Sequence, residues 1–133
     1  MKQLLYVLPL VAGMAWADTP NQFVASYSAE AARTQAGFVA DATRGRAFAA
    51  RDWGVSTPMP SCTTCHTAQP QNPGRHAVTG KRIAPLSPRT QADRFSDPAK
   101  VEKWFKRNCN EVVGRLCTPA EKADFVAYVM AGQ

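Results

Sequence analysis

Between Pro60 and Val129 the sequence contains no methionine, although four occur in its 133 residues. Histidine is almost as scarce, with two, and ten acidic residues stand against sixteen basic ones. No apolar run approaches the roughly 20 residues of a spanning helix, because the stretch from Leu4 to Met14 is short and broken by Pro9. Stable membrane insertion is therefore not expected. Alternating strand patterns of useful length and internal repeats are also missing, which leaves an all-α architecture. With no basic run and no basic patch interleaved with aromatics, nucleic acid is excluded as a partner.

What is present begins with an export signal. Met1-Lys2, the short apolar stretch and the small-x-small triplet Ala15-Trp16-Ala17 form a Sec-type signal peptide over residues 1–17, with cleavage expected after Ala17. No cysteine follows that point, so no lipid anchor is indicated. Removing 17 of 133 residues leaves residues 18–133, a length for one domain. Only Lys2 is lost from the charge balance, so 15 basic and 10 acidic residues remain, or +5. That excess suits an acidic partner or an anionic surface, and equally an ordinary solvated face.

Four helices can be placed. Thr19-Pro20-Asn21-Gln22 is a capping-box pattern, and Phe23, Val24, Tyr27 and Ala31 follow at helical spacing to about Arg33. Asp41 can cap a second helix, in which Gly45 and Phe48 share a face; the glycine reads either as close helix packing or as a weak point. Asp97-Pro98 starts a third, with Val101, Trp104 and Phe105 as its apolar stripe. Thr118-Pro119-Ala120-Glu121 caps a last one, with Phe125, Val126, Val129 and Met130 buried. From Asp52 to Arg94 periodicity is lost in favour of Pro, Thr, Ser, Gln and Gly. So long a stretch needs something other than protein to organise it.

"CTTCH", Cys62 to His66, supplies the reason. Two thiols within one turn can each add to a vinyl group of haem while the following imidazole reaches the iron, which is the c-type attachment pattern. A thioredoxin-like dithiol would need a βαβ context that is missing. A zinc site would want a second close cysteine pair, whereas Cys109 and Cys117 are seven residues apart in between. The cofactor expected is one covalent haem c.

The missing methionine now matters. Small electron carriers commonly complete the iron with a methionine sulfur, and Met59, just before the attachment loop, reads as packing. The remaining candidates are His76, Lys81, Asn108, Asn110, Met130 or a water. His76 reads first as a loop side chain, and Met130 as core. Lys81 and Arg82 are placed by charge to meet the haem propionates. An asparagine oxygen is a hard ligand, suited to ferric iron and weakly held by ferrous iron. From the residues alone, Asn108 reads first as the cap of the preceding helix.

Cys109 and Cys117 constrain this region. On a continuous helix they would stand about 12 Å apart, beyond the roughly 7 Å that a bridge permits. A disulfide, which is usual for two such cysteines in an exported protein, requires the helix to stop near Asn108 and turn back, as Gly114 allows. It would serve as a staple or as a redox switch.

The segments "RGRAF", "PSCTTCH", "TGKRIAPLSP" and "DRFSDPAKVEKWFKRNCNEVVGRLCTPAEKADF" together make the chain resemble the sphaeroides haem protein family, a variant of class I cytochrome c, over nearly its whole length after the signal. The resemblance implies the class I cytochrome c fold, with Gly45 and Phe48 as its helix-packing pair and "IAPL" contributing Pro85 and Leu86 to the haem pocket. It implies that the Pro85 carbonyl receives the Nδ1 proton of His66, that Asn108 ligates ferric iron beside His66, and that Cys109 and Cys117 are bridged. It further implies transient oxygen binding when reduced, with a dihaem cytochrome c and a membrane cytochrome b as redox partners. The segment "ARDWGVSTPM", Ala50 to Met59 with Trp53 at its centre, departs from the family pattern.

The expectation is a periplasmic monohaem cytochrome c for electron transfer, whose asparagine ligand leaves on reduction so that O2, NO or CO binds. The alternatives are a haem enzyme acting on oxygen or nitrogen oxides, of terminal oxidase or NO dioxygenase type, and a plain electron carrier. No distal acid or base stands out apart from Asn108.

Overall fold

The computed structural model describes residues 19–132, so the expected signal peptide lies outside the described residues. Helix α1 (Pro20–Ala31) starts at the Thr19 capping box and buries Phe23, Tyr27 and Ala31. Helix α2 (Ala42–Ala50) starts at Asp41, whose carboxylate accepts from the Arg44 amide at 2.7 Å. A one-turn helix, α3 (Cys62–His66), is additional to the four expected. Two-residue strands β1 (Gly74–Arg75) and β2 (Arg82–Ile83) pair antiparallel, Gly74 opposite Ile83. From residue 52 to residue 94, α3 and this pair are the regular elements among the described residues.

The core lies where α5 (Pro119–Ala131) packs against α1 and α2. Ala123, Val126 and Val129 are fully buried there, and Met130 packs beside Phe23 and Val101, which makes it a core residue. Gly45 is required at the α2–α5 crossing. A Cβ at that position would stand 2.0 Å from the Asp124 carbonyl oxygen and 2.9 Å from the Tyr128 Cβ, so close packing is the correct reading of this glycine.

Helix α4 (Pro98–Asn108) is capped by Asp97, which accepts from the Lys100 amide at 3.1 Å. Its expected stripe is only partly internal: Val101 is buried, Phe105 half-buried and Trp104 43% exposed. The helix stops at Asn108 and widens into a π-helical turn, Cys109–Val113, closed by the Gly114 amide donating to the Cys109 carbonyl at 3.0 Å. Gly114, at φ 79°, then reverses the chain. Cys109 and Cys117 are bonded with their Cα atoms 5.7 Å apart, as a chain that turns back after Asn108 permits. No helix among the described residues is long and apolar enough to cross a membrane.

Candidate haem site

The attachment turn is held from three directions. Thr67, at φ 63°, breaks α3 immediately after His66. Gly74 lies so close behind it that a Cβ would stand 2.0 Å from the Cys65 carbonyl oxygen, which brings the β-pair flat against the turn. The Tyr128 hydroxyl, on α5, donates to the Ala68 carbonyl at 2.9 Å and ties the chain just after the turn to the core. Further along, the Leu86 and Ser87 amides both donate to the Pro70 carbonyl at 2.9 Å.

A cavity of about 550 Å³ opens beside this turn. Of the residues singled out from sequence, Cys62, Cys65, His66, Lys81, Leu86 and Asn108 line it. Pro85 and Arg82 are not on its wall. The Pro85 carbonyl accepts from Arg94 Nε at 2.7 Å, and the Ala84 carbonyl from Arg94 Nη2 at 2.8 Å. Arg94 itself lines the cavity, together with Lys100 and Arg107. These three cations were not found from sequence. Two lie in the helical turns that flank the apolar stripe of α4, where a basic residue reads as solvated, and Arg94 lies in a loop without periodicity.

Two of the rival ligand candidates separate from Asn108 on geometry, while Lys81 shares its cavity. Asn110 is exposed and donates from Nδ2 to the Lys106 carbonyl at 2.8 Å, off the cavity wall. His76 does reach the wall, but its Nδ1 accepts from the Val78 and Thr79 amides, both at 3.2 Å. The neighbouring Ala77 amide donates to Cys65 Sγ at 3.3 Å, so His76 belongs to the attachment side.

The imidazole has the protonation that ligation requires. Desolvation, helped by the charges of Arg94 and His76, lowers the His66 pKa to about 4, so the imidazole is neutral and its lone pair free at pH 7. Desolvation raises the Cys62 thiol to about 11 and keeps it protonated. Cys109 and Cys117 are committed to each other, so no second thiol pair exists for zinc among the described residues. Two thiols and a neutral imidazole on one wall, apolar surface from Phe95, Val112 and Phe125, and cations for carboxylates fit an iron porphyrin in size and chemistry. When bound, the haem supplies a one-electron couple and a position for an external ligand.

This fold and site define a c-type cytochrome carrying haem c. The chain belongs to the family of the cytochrome c-type protein SHP. It is 49% identical to that protein from Cereibacter sphaeroides over 134 aligned residues, covering 98% of this chain and 99% of that one. Cytochrome c'' of Methylophilus methylotrophus is 49% identical over 70 residues, 53% of this chain and 49% of that protein. The family described as a domain of unknown function, DUF1924, matches residues 35–129. Among solved structures, oxidised SHP, described as an oxygen-binding cytochrome c, superposes with a TM-score of 0.78 at 49% identity, covering 86% of this chain and 98% of that one. Oxidised cytochrome c'' superposes at 0.77 and 37% identity, covering 86% and 94%.

Proposed function

We propose that the protein is a periplasmic monohaem cytochrome c that transfers electrons, and that Asn108 ligates the oxidised iron opposite His66. On reduction Asn108 leaves, and O2, NO or CO takes its position. One observation carries the reading: Asn108, the last residue of α4, lines the same cavity as His66, Cys62 and Cys65. The amide oxygen is a hard donor that ferric iron holds better than ferrous iron. Residues 1–17 supply the export signal. A dihaem cytochrome c and a membrane cytochrome b are the proposed redox partners. Oxygen binding by SHP supports the ligand class, and haem-ligand detachment in cytochrome c'' supports release.

The test is the absorption spectrum in both redox states, with and without carbon monoxide, for the natural protein and Asn108→Ala. Carbon monoxide should bind the ferrous protein rapidly, and the variant should change the ferric spectrum to that of an open or water-bound site. A low-spin ferrous spectrum indifferent to carbon monoxide sinks the release. It would leave a plain electron carrier.

A second reading, a haem enzyme acting on oxygen or nitrogen oxides, is favoured by the ion pair that flanks Asn108. Arg107 Nε lies 3.0 Å from Glu111 Oε1, and both residues line the cavity. These are the acid and the cation that the sequence did not reveal on this side. Consumption of oxygen or nitric oxide beyond one equivalent of haem would establish turnover.

A further inference from the structure

The segment that departs from the family pattern has a structural partner. The Trp53 ring packs on the apolar cluster formed by Cys109, Val113 and Cys117, and makes an edge-on contact with Phe48 at 5.2 Å between centroids. The Arg51 guanidinium lies 4.4 Å from the ring centroid, and that of Arg115, inside the disulfide loop, 5.6 Å. Two residues on, Val55 meets the loop again. A Cβ added at Gly114 would stand 2.9 Å from Val55 Cγ2. The segment thus touches the loop at its disulfide, its reversal and its arginine.

Its other end is fastened to the attachment side. The Trp53 amide donates to the Pro60 carbonyl at 2.9 Å, two residues before Cys62, and the Gly54 amide to Asp52 Oδ1 at 2.9 Å. Among the described residues the ring is held by packing on the cluster of Cys109, Val113 and Cys117 and on Phe48, and by its two cations.

We propose that Trp53 and Val55 are positioning residues that clamp the Cys109–Cys117 loop and so set how fast Asn108 moves. This rests on the ligand-release reading above. In this proposal Asn108 leaves together with the chain that runs from the end of α4 into the π-helical turn, and the cluster under Trp53 includes Cys109, the next residue. Loosening the clamp lowers the barrier to that shift, while strain and cofactor attachment elsewhere stay as they are.

The experiment compares the natural holoprotein with Trp53→Phe, Val55→Ala and, as a control for general destabilisation, Arg44→Ala, which is remote from the cavity wall. Imidazole binding to the ferric protein, followed by stopped-flow absorbance, reads the displacement of Asn108. Hydrogen exchange of the amides of residues 109–117 reads the loop directly. Trp53→Phe, which shrinks the ring and weakens its contact with both cations, should accelerate imidazole binding by roughly threefold. Loop exchange should quicken in parallel, while Arg44→Ala alters neither. Natural rates and natural exchange in both clamp variants would overturn the clamp, as would equal acceleration in Arg44→Ala. If the ferrous natural protein binds no carbon monoxide, the release reading fails by itself. Loop exchange then still decides the clamp, in its favour if it is faster in Trp53→Phe and against it if unchanged.

Discussion

The buried carboxylate of Asp124 on α5 accepts from Arg44 Nε at 2.8 Å and Nη2 at 2.9 Å, and from the Asp41 amide at 2.7 Å, so one side chain anchors the start of α2. Asp124→Ala leaves the Asp41 amide without its acceptor and should cost about 2 kcal/mol. Arg44→Ala should cost under about 1 kcal/mol, because its guanidinium is more than half exposed. Chemical denaturation of the two variants checks the order, and equal losses would contradict the anchoring role of Asp124.

Gly45→Ala places a methyl group against backbone, at 2.0 Å from the Asp124 carbonyl oxygen, and no side-chain rotation can relieve it. The helices must separate, at a cost of about 3 kcal/mol or more. The yield of folded, haem-loaded protein should fall sharply, measured as the ratio of Soret to total-protein absorbance after purification.

The Cys109–Cys117 bridge closes a loop with a sequence separation of 8. Replacing both cysteines by serine should lower stability by about 2.5 kcal/mol in the chain-entropy view. Thermal unfolding of the double variant tests this. A loss below about 1 kcal/mol would mean that the Trp53 cluster already holds the loop without the bond.

Arg94→Gln removes a cation from the cavity wall and both bonds to the carbonyls of residues 84 and 85. Loss of positive charge near the iron favours its oxidised form. The reduction potential should drop by on the order of 30 mV, read by potentiometric titration. An unchanged potential with an altered spectrum would assign Arg94 to wall geometry alone.

Glu121 supplies one of the pH-dependent contributions to stability. Burial pushes its pKa up, but the bonds from Arg115 and the Thr118 amide outweigh that and hold it below the ordinary 4.5. A depressed carboxylate contributes stability above its unfolded value and loses it as pH falls through the folded one. The Glu121 contribution should therefore decline below about pH 4.5. Glu121→Gln should be less stable at pH 7 by about 1 kcal/mol and show a shallower acid decline.

The helix starts were legible because their signals are local. Thr19, Asp41, Asp97 and Thr118 each cap the helix that the sequence assigns to them. The end of α4 was legible by a different route, since two cysteines eight apart cannot bridge along a straight helix. Lys100 and Arg107 stayed hidden because a basic residue beside the apolar stripe of a helix reads as solvated until the cavity is known, and Arg94 because loops carry no period. The same holds for Trp53, whose partners lie more than fifty residues downstream. The left-handed Thr67 and Phe95 carry no residue-type signal at all, because glycine, the usual occupant, is absent there.

The widening of the helix directly after Asn108 bears on affinity as well as on shape. Under the proposed ligation, the amide and any dissolved ligand compete for one position, but the amide competes from within the same chain. Its strength as a competitor is an effective concentration, set by how firmly the end of α4 and the turn after it are held and independent of how much protein is present. A firmer hold raises that concentration and screens the iron; a looser one exposes it. Affinity for every small ligand is then adjustable together, with each residue that touches the ligand left unchanged.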